Sequence, residues 1–132
     1  MEIYLKIAGI ILIILGIVHV AFPKRFNWKD ELEPLSLINK QMMVVHTFFI
    51  ALTVFMMGVL SLFYSAELIT TPFGRVISLG FAIFWFIRLV FQFFVYSKEL
   101  WKGKTFETVM HIVFAVTWIY LTLIYFLAYR SF

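Results

Sequence analysis

The 132-residue chain has no cysteine, only three prolines and six glycines, and just 14% of its residues are charged. Without cysteine there is no disulfide framework, no thiolate metal site and no cysteine nucleophile. So few charges beside so much apolar sequence exclude a disordered chain. The basic residues cluster at the ends of apolar runs, where membrane topology needs them, rather than forming a footprint for nucleic acid. A His-x-x-x-His pair, a Gly-x-Ser-x-Gly nucleophile elbow and a phosphate-binding loop are also missing. Three histidines are too few for a multi-metal desaturase or hydroxylase. The chain has no internal repeat of the kind that builds transporters, and no channel filter.

What the chain does have is apolar surface: 64% of it is hydrophobic and 20% aromatic. Soluble domains run nearer half apolar and about a quarter charged. A compact domain of this size cannot bury such an excess, so its solvent is lipid. Four apolar segments are visible: about Ile3 to Phe22, ended by Pro23; Asn39, a candidate N-cap, to about Tyr64; Thr71-Pro72, a cap with proline at the first helical position, to about Ser97; and Thr105 to about Tyr129. Each is long enough to cross about 30 Å of hydrocarbon. The first reads as a retained span, because Glu2 precedes it, its apolar run is long and no small-x-small site follows. The expected fold is a single all-α domain, an integral membrane four-helix antiparallel bundle with a polar interior near one leaflet.

Four crossings put both termini on one side with the Ser65–Thr71 turn, and the 23–38 and 98–104 loops on the other. Lys24, Arg25, Lys29, Lys40, Lys98, Lys102 and Lys104 flank the second side, against Lys6, Arg75 and Arg130 on the first. That bias predicts cytoplasmic loops and external termini, as in a bacterial inner (plasma) membrane protein. In the 23–38 loop, Phe26, Trp28, Leu32, Leu35 and Leu37 alternate with charged residues, and Asn27 is placed to cap a short helix that Pro34 ends. Such a segment suits the headgroup region, with Trp28 as an anchor. Tyr4, Trp101, Tyr129 and Phe132 read as interfacial aromatics, and Trp85 and Trp118 as core.

In lipid, small and polar residues mark the inward face. Leu5, Ala8, Gly9, Leu12, Leu15, Gly16 and His19 share one side of the first helix, with isoleucines at 3, 7, 10, 13, 14 and 17 behind them. The inward stripes of the other helices read Asn39, Met42, His46, Thr53, Met57, Ser61, Tyr64; Gly74, Ser78, Phe81, Trp85, Arg88, Gln92, Tyr96; and Glu107, Thr108, His111, Ala115, Trp118, Thr122, Tyr125, Tyr129. At about 1.5 Å per residue, His19 lies ~5 Å from the loop-side surface, His46 and His111 ~9–10 Å, Gln92 ~8 Å and Arg88 ~14 Å.

That shared depth makes His19, His46, His111, Arg88 and Gln92 the candidate cofactor-binding set. Three imidazoles suit a transition metal with an open position. Two from facing helices suit a b-type haem, its propionates met by Arg88 or the loop lysines. A quinone, whose carbonyls need donors, is the third candidate. Glu107 and His111, four apart, are the catalytic candidates for acid–base chemistry on a lipid-soluble substrate. A non-catalytic accessory or assembly subunit is the alternative, its apolar faces packing on a membrane-protein partner, a second copy or the lipid bilayer itself. Arg88 would then pair within the structure, and the histidines would bond between helices.

Overall fold

A computed structural model of the protein describes residues 1–131; Phe132, expected as an interfacial aromatic, lies outside the described residues. The chain forms α1 (Glu2–Val18), a 3-10 turn (His19–Ala21), α2 (Phe22–Arg25), α3 (Trp28–Glu31), α4 (Leu37–Phe63), α5 (Ser65–Thr70), α6 (Pro72–Phe94), a second 3-10 turn (Lys98–Leu100) and α7 (Thr105–Arg130). No strand occurs among the described residues. Four helical stretches, Glu2–Arg25, Leu37–Phe63, Pro72–Phe94 and Thr105–Arg130, are long and apolar enough to cross a membrane. Contacts gather the chain into two compact units, Lys6–Tyr64 and Met1–Leu5 with the chain from Ser65 onward.

Local chemistry sets the element ends. Thr71 caps α6 as its spacing predicts: its hydroxyl accepts from the Gly74 N–H at 2.9 Å, and Pro72 occupies the first turn. The same hydroxyl donates to the Glu67 carbonyl at 2.7 Å, joining the end of α5 to the start of α6. Ser65–Thr71, read as a turn, is therefore mostly a short helix. The cap of α4 is Ser36 rather than Asn39. Its hydroxyl accepts from the Asn39 N–H at 3.4 Å, which makes Asn39 a first-turn residue. Pro23 does not end the first span, because it falls in the first turn of α2, where its missing N–H costs no bond. Asn27 precedes α3 in a left-handed conformation (φ 53°), and its amide donates to Asp30 at 3.2 Å rather than capping the backbone.

Within Lys6–Tyr64, α1 and α4 approach backbone to backbone. A Cβ on Gly9 would sit 2.7 Å from the Gly58 carbonyl oxygen, and one on Gly58 would sit 2.7 Å from that of Gly9. One on Gly16 would lie 3.0 Å from the Ala51 carbonyl oxygen. Gly9 and Gly16, like Ala51 and Gly58, are two turns apart, so each pair shares a face. In lipid such close packing replaces the hydrophobic drive that holds soluble helices together.

Within the other unit, α6 packs along α7. Phe81 meets Tyr125 edge to face at 5.2 Å. Arg75 Nε donates to the Tyr129 carbonyl at 3.1 Å, a cation at the carbonyl end of α7. The Tyr120 hydroxyl donates to the Tyr4 carbonyl at 3.0 Å. Ser78 donates to the Leu68 carbonyl at 3.3 Å, fixing α5 on α6.

Burial follows the expected stripes on three spans. On α1 the predicted inward residues from Leu5 to Gly16 are buried, while Ile3, Ile7, Ile10, Ile14 and Ile17 are exposed. On α7 every member of the predicted stripe is buried or half-buried, and on α6 all but Tyr96 are. The α4 stripe holds only in part: its members Met57 and Ser61 are buried, with Val54 and Gly58 beside them, whereas Asn39, Met42, His46, Thr53 and Tyr64 are exposed. The closest approach to α1 is at Gly58, so the inward face of α4 is the one that Met57, Gly58 and Ser61 form.

Candidate functional site

Arg88 and Gln92 lie one turn apart near the C-terminal end of α6, and His111 near the N-terminal end of α7. These three of the predicted site residues meet. Gln92 is at the centre and is only 6% exposed. Its Oε1 accepts from Arg88 Nη1 at 3.2 Å and from Trp118 Nε1, also at 3.2 Å. Its Nε2 lies 2.8 Å from His111 Nδ1.

The chemistry of the partners orients this network. Guanidinium and indole N–H groups only donate, so the atom they share must be the amide oxygen of Gln92. Its NH2 group then faces His111 and donates, which makes Nδ1 the acceptor and leaves the ring proton on Nε2. Neither the Nε2–H of His111 nor the other N–H groups of Arg88 have a hydrogen-bond partner among the described residues. What the cluster offers a ligand is therefore a set of donors.

Aromatic rings frame those donors. Trp101 stacks on His111 with centroids 3.8 Å apart and planes 15° apart, and Phe93 meets the same ring edge-on at 5.8 Å. The Arg88 guanidinium lies 5.0 Å from the Trp118 ring centre and 5.1 Å from that of Tyr96, so the cation sits against two π faces. Trp118 stacks in turn on Trp85 at 5.0 Å and Phe114 at 5.7 Å. Thr108 donates to the Trp101 carbonyl, tying the 98–104 loop to the first turn of α7. Glu107, half-buried, stands one turn before His111 on the same helix. The Trp85 Nε1–H and the Thr122 hydroxyl are buried with no hydrogen-bond partner among the described residues.

The other two histidines belong to the Lys6–Tyr64 unit. His19 is half-buried in the 3-10 turn after α1, its Nδ1 2.8 Å from the Leu15 carbonyl and its ring 4.6 Å from Phe22. A carbonyl only accepts, so His19 carries a proton on Nδ1, the nitrogen that accepts in His111. His46 is exposed on α4. Among the described residues, neither unit by itself gathers three His, Asp or Glu side chains able to hold a metal ion. Ligation of a metal through His111 Nε2 requires that nitrogen to lose its proton and Nδ1 to gain one. Nδ1–H would then face the Gln92 NH2, and turning the amide to suit would set its NH2 against Arg88 and Trp118.

Two contributors are not evident from the sequence. Trp118 is read as core, yet its indole N–H holds Gln92. Its spacing from His111, two turns along α7, is the available signal. Trp101 is read as an interfacial aromatic, and its stacking on His111 depends on the path of the 98–104 loop, which no periodicity reports. No family model matches the chain, and neither does any curated protein or solved structure.

Proposed function

We propose that the protein is an integral membrane protein, a four-span antiparallel helical bundle, that binds the headgroup of a lipid-soluble quinone at the Arg88–Gln92–His111 cluster. The observation that carries this reading is the hydrogen bonding of Gln92, which commits Nδ1 of His111 and leaves its Nε2–H and the Arg88 guanidinium as donors. Quinone carbonyls are acceptors, and a quinone ring stacks on aromatic faces such as those around His111 and Arg88. A bound quinone supplies reversible two-electron chemistry. The residues bind and orient: His111 and Arg88 donate, Trp101 and Phe93 hold the imidazole, and Trp118 fixes the amide. Haem and metal fit this cluster less well, because each needs an imidazole lone pair where His111 presents a proton. The lysine and arginine bias supports cytoplasmic 23–38 and 98–104 loops in a bacterial inner membrane.

The test is quinone titration of the purified protein, read by quenching of tryptophan fluorescence, with extraction and chromatography of the co-purified lipids. The expected result is saturable quenching by a quinone, weakened about 10-fold or more in Arg88→Gln through loss of a charged donor. Helicity should be retained. Absence of both quenching and extractable quinone overturns the proposal. If Arg88→Gln instead disrupts association with a membrane partner, the cluster serves assembly.

A further inference from the structure

An open depression with about 310 Å³ of space lies among Pro23, Trp28, Lys29, Leu32, Lys40 and Val44, all within the Lys6–Tyr64 unit, with Pro23, Lys29 and Val44 exposed. It brings α2, α3 and the first turns of α4 around one hollow at the end of the first span. Its volume is at the small end of ligand clefts, which run about 300–1,000 Å³. Proline, indole, leucine and valine give it apolar walls, two lysines border it, and no carboxylate lines it. Neither the Lys29 nor the Lys40 side chain has a hydrogen bond or ion pair among the described residues, although Asp30, Glu31 and Glu33 are close in sequence. Two lysines with no side-chain partner, beside an almost wholly apolar depression, suit an occupant with an anionic head and an apolar body.

We infer that this hollow binds an anionic phospholipid, its phosphate held between Lys29 and Lys40 and the start of an acyl chain against Trp28, Leu32 and Val44. Lysine stems lie along apolar walls while their ammonium ends reach for the headgroup level. Trp28 is the residue type that settles at the same level. A depression of this size admits a glycerophosphate and the first methylenes of one chain, leaving the rest of the lipid in the bilayer. The site involves none of the residues assigned to quinone binding and stands or falls separately from that proposal.

Native mass spectrometry of the full chain, released from detergent with equimolar dioleoyl-phosphatidylglycerol and dioleoyl-phosphatidylcholine, tests the inference. Phosphatidylglycerol should be retained in preference to phosphatidylcholine. The preference should fall about 30-fold in Lys29→Gln/Lys40→Gln, near 5-fold for each lysine. Lys29→Arg/Lys40→Arg should keep it, and circular dichroism should show unchanged helicity in both. Lys102→Gln/Lys104→Gln, which removes equal charge from another loop, should leave it unaltered. Equal loss in that control would mean diffuse attraction to a basic surface, and would overturn the site. Displacement of the lipid by inorganic phosphate or glycerol 3-phosphate at comparable concentration would identify a free-anion site and would also overturn the inference. So would equal retention of the two lipids.

Discussion

His19 and His111 are chemically the same side chain, each near the end of an apolar span, yet Nδ1 donates in one and accepts in the other. In the Lys6–Tyr64 unit, His19 gives its Nδ1–H to the Leu15 carbonyl, which leaves Nε2 as the uncommitted nitrogen. In the other unit, His111 accepts at Nδ1 from Gln92 and keeps a proton on Nε2. The units are also built by different means. The first relies on glycine, with Gly9 and Gly58 bringing two backbones together. The second joins its two long spans through side chains, a stack of Phe114, Trp118 and Trp85 and an amide accepting two N–H bonds. It uses a glycine, Gly74, where α6 starts against the Glu67 backbone of α5. A backbone carbonyl fixes one tautomer and a side-chain amide the other, so the chemistry of a membrane histidine follows from its neighbour.

The largest effect expected from breaking this contrast comes from Gln92→Leu. It removes two bonds to α7, roughly 0.6–1.7 kcal/mol each for interhelical bonds in lipid, and the charge-assisted Arg88 bond within α6, about 1.5 kcal/mol. The loss should therefore be about 3–5 kcal/mol. Denaturation in mixed detergent, followed by circular dichroism, measures it. An effect below that of either tryptophan variant described below would show that the network is incidental. Next is the glycine contact. Gly9→Ala and Gly58→Ala should each cost about 1–3 kcal/mol, since the added methyl meets backbone that has no rotamer to change. Gly80 has nothing within 4 Å of an added Cβ, so Gly80→Ala should be neutral or mildly stabilising. Equal losses at all three positions would contradict the packing described for the first unit.

The smallest expected effect distinguishes the two stacked indoles. Trp118→Phe keeps an aromatic ring but loses the bond to Gln92, and should cost about 1 kcal/mol more than Trp85→Phe. Trp85 has a buried N–H with no partner among the described residues, so phenylalanine there removes an unsatisfied donor. The same denaturation measurement checks the order, and the reverse order would mean that the Trp118–Gln92 bond contributes nothing.

The four spans are legible in the sequence because length and hydropathy act over twenty residues or more and need no knowledge of neighbours. The burial faces of α1, α6 and α7 are legible for a related reason: small and polar residues repeat at helical spacing along each. α4 follows that rule only in part. His46 and Thr53 line up with Met57 and Ser61 but are exposed, and the closest approach to α1 is at Gly58. The meeting of Arg88, Gln92 and His111 could be anticipated from depth and face. Their proton arrangement could not, because it depends on which donor reaches which atom of one amide. Trp101 was hidden for another reason, as its position comes from a loop whose path leaves no periodic trace.

The most direct test of the central claim is the solid-state 15N spectrum of ring-labelled protein in lipid bilayers, with His111 and His19 assigned by single substitution. His111 should show a pyridine-type Nδ1 and a protonated, pyrrole-type Nε2, while His19 should show the reverse. A proton on Nδ1 of His111 would contradict the claim. Such a proton would turn the Gln92 amide around, set its NH2 group against Arg88 and Trp118, and replace the donor face with a lone pair suited to a metal.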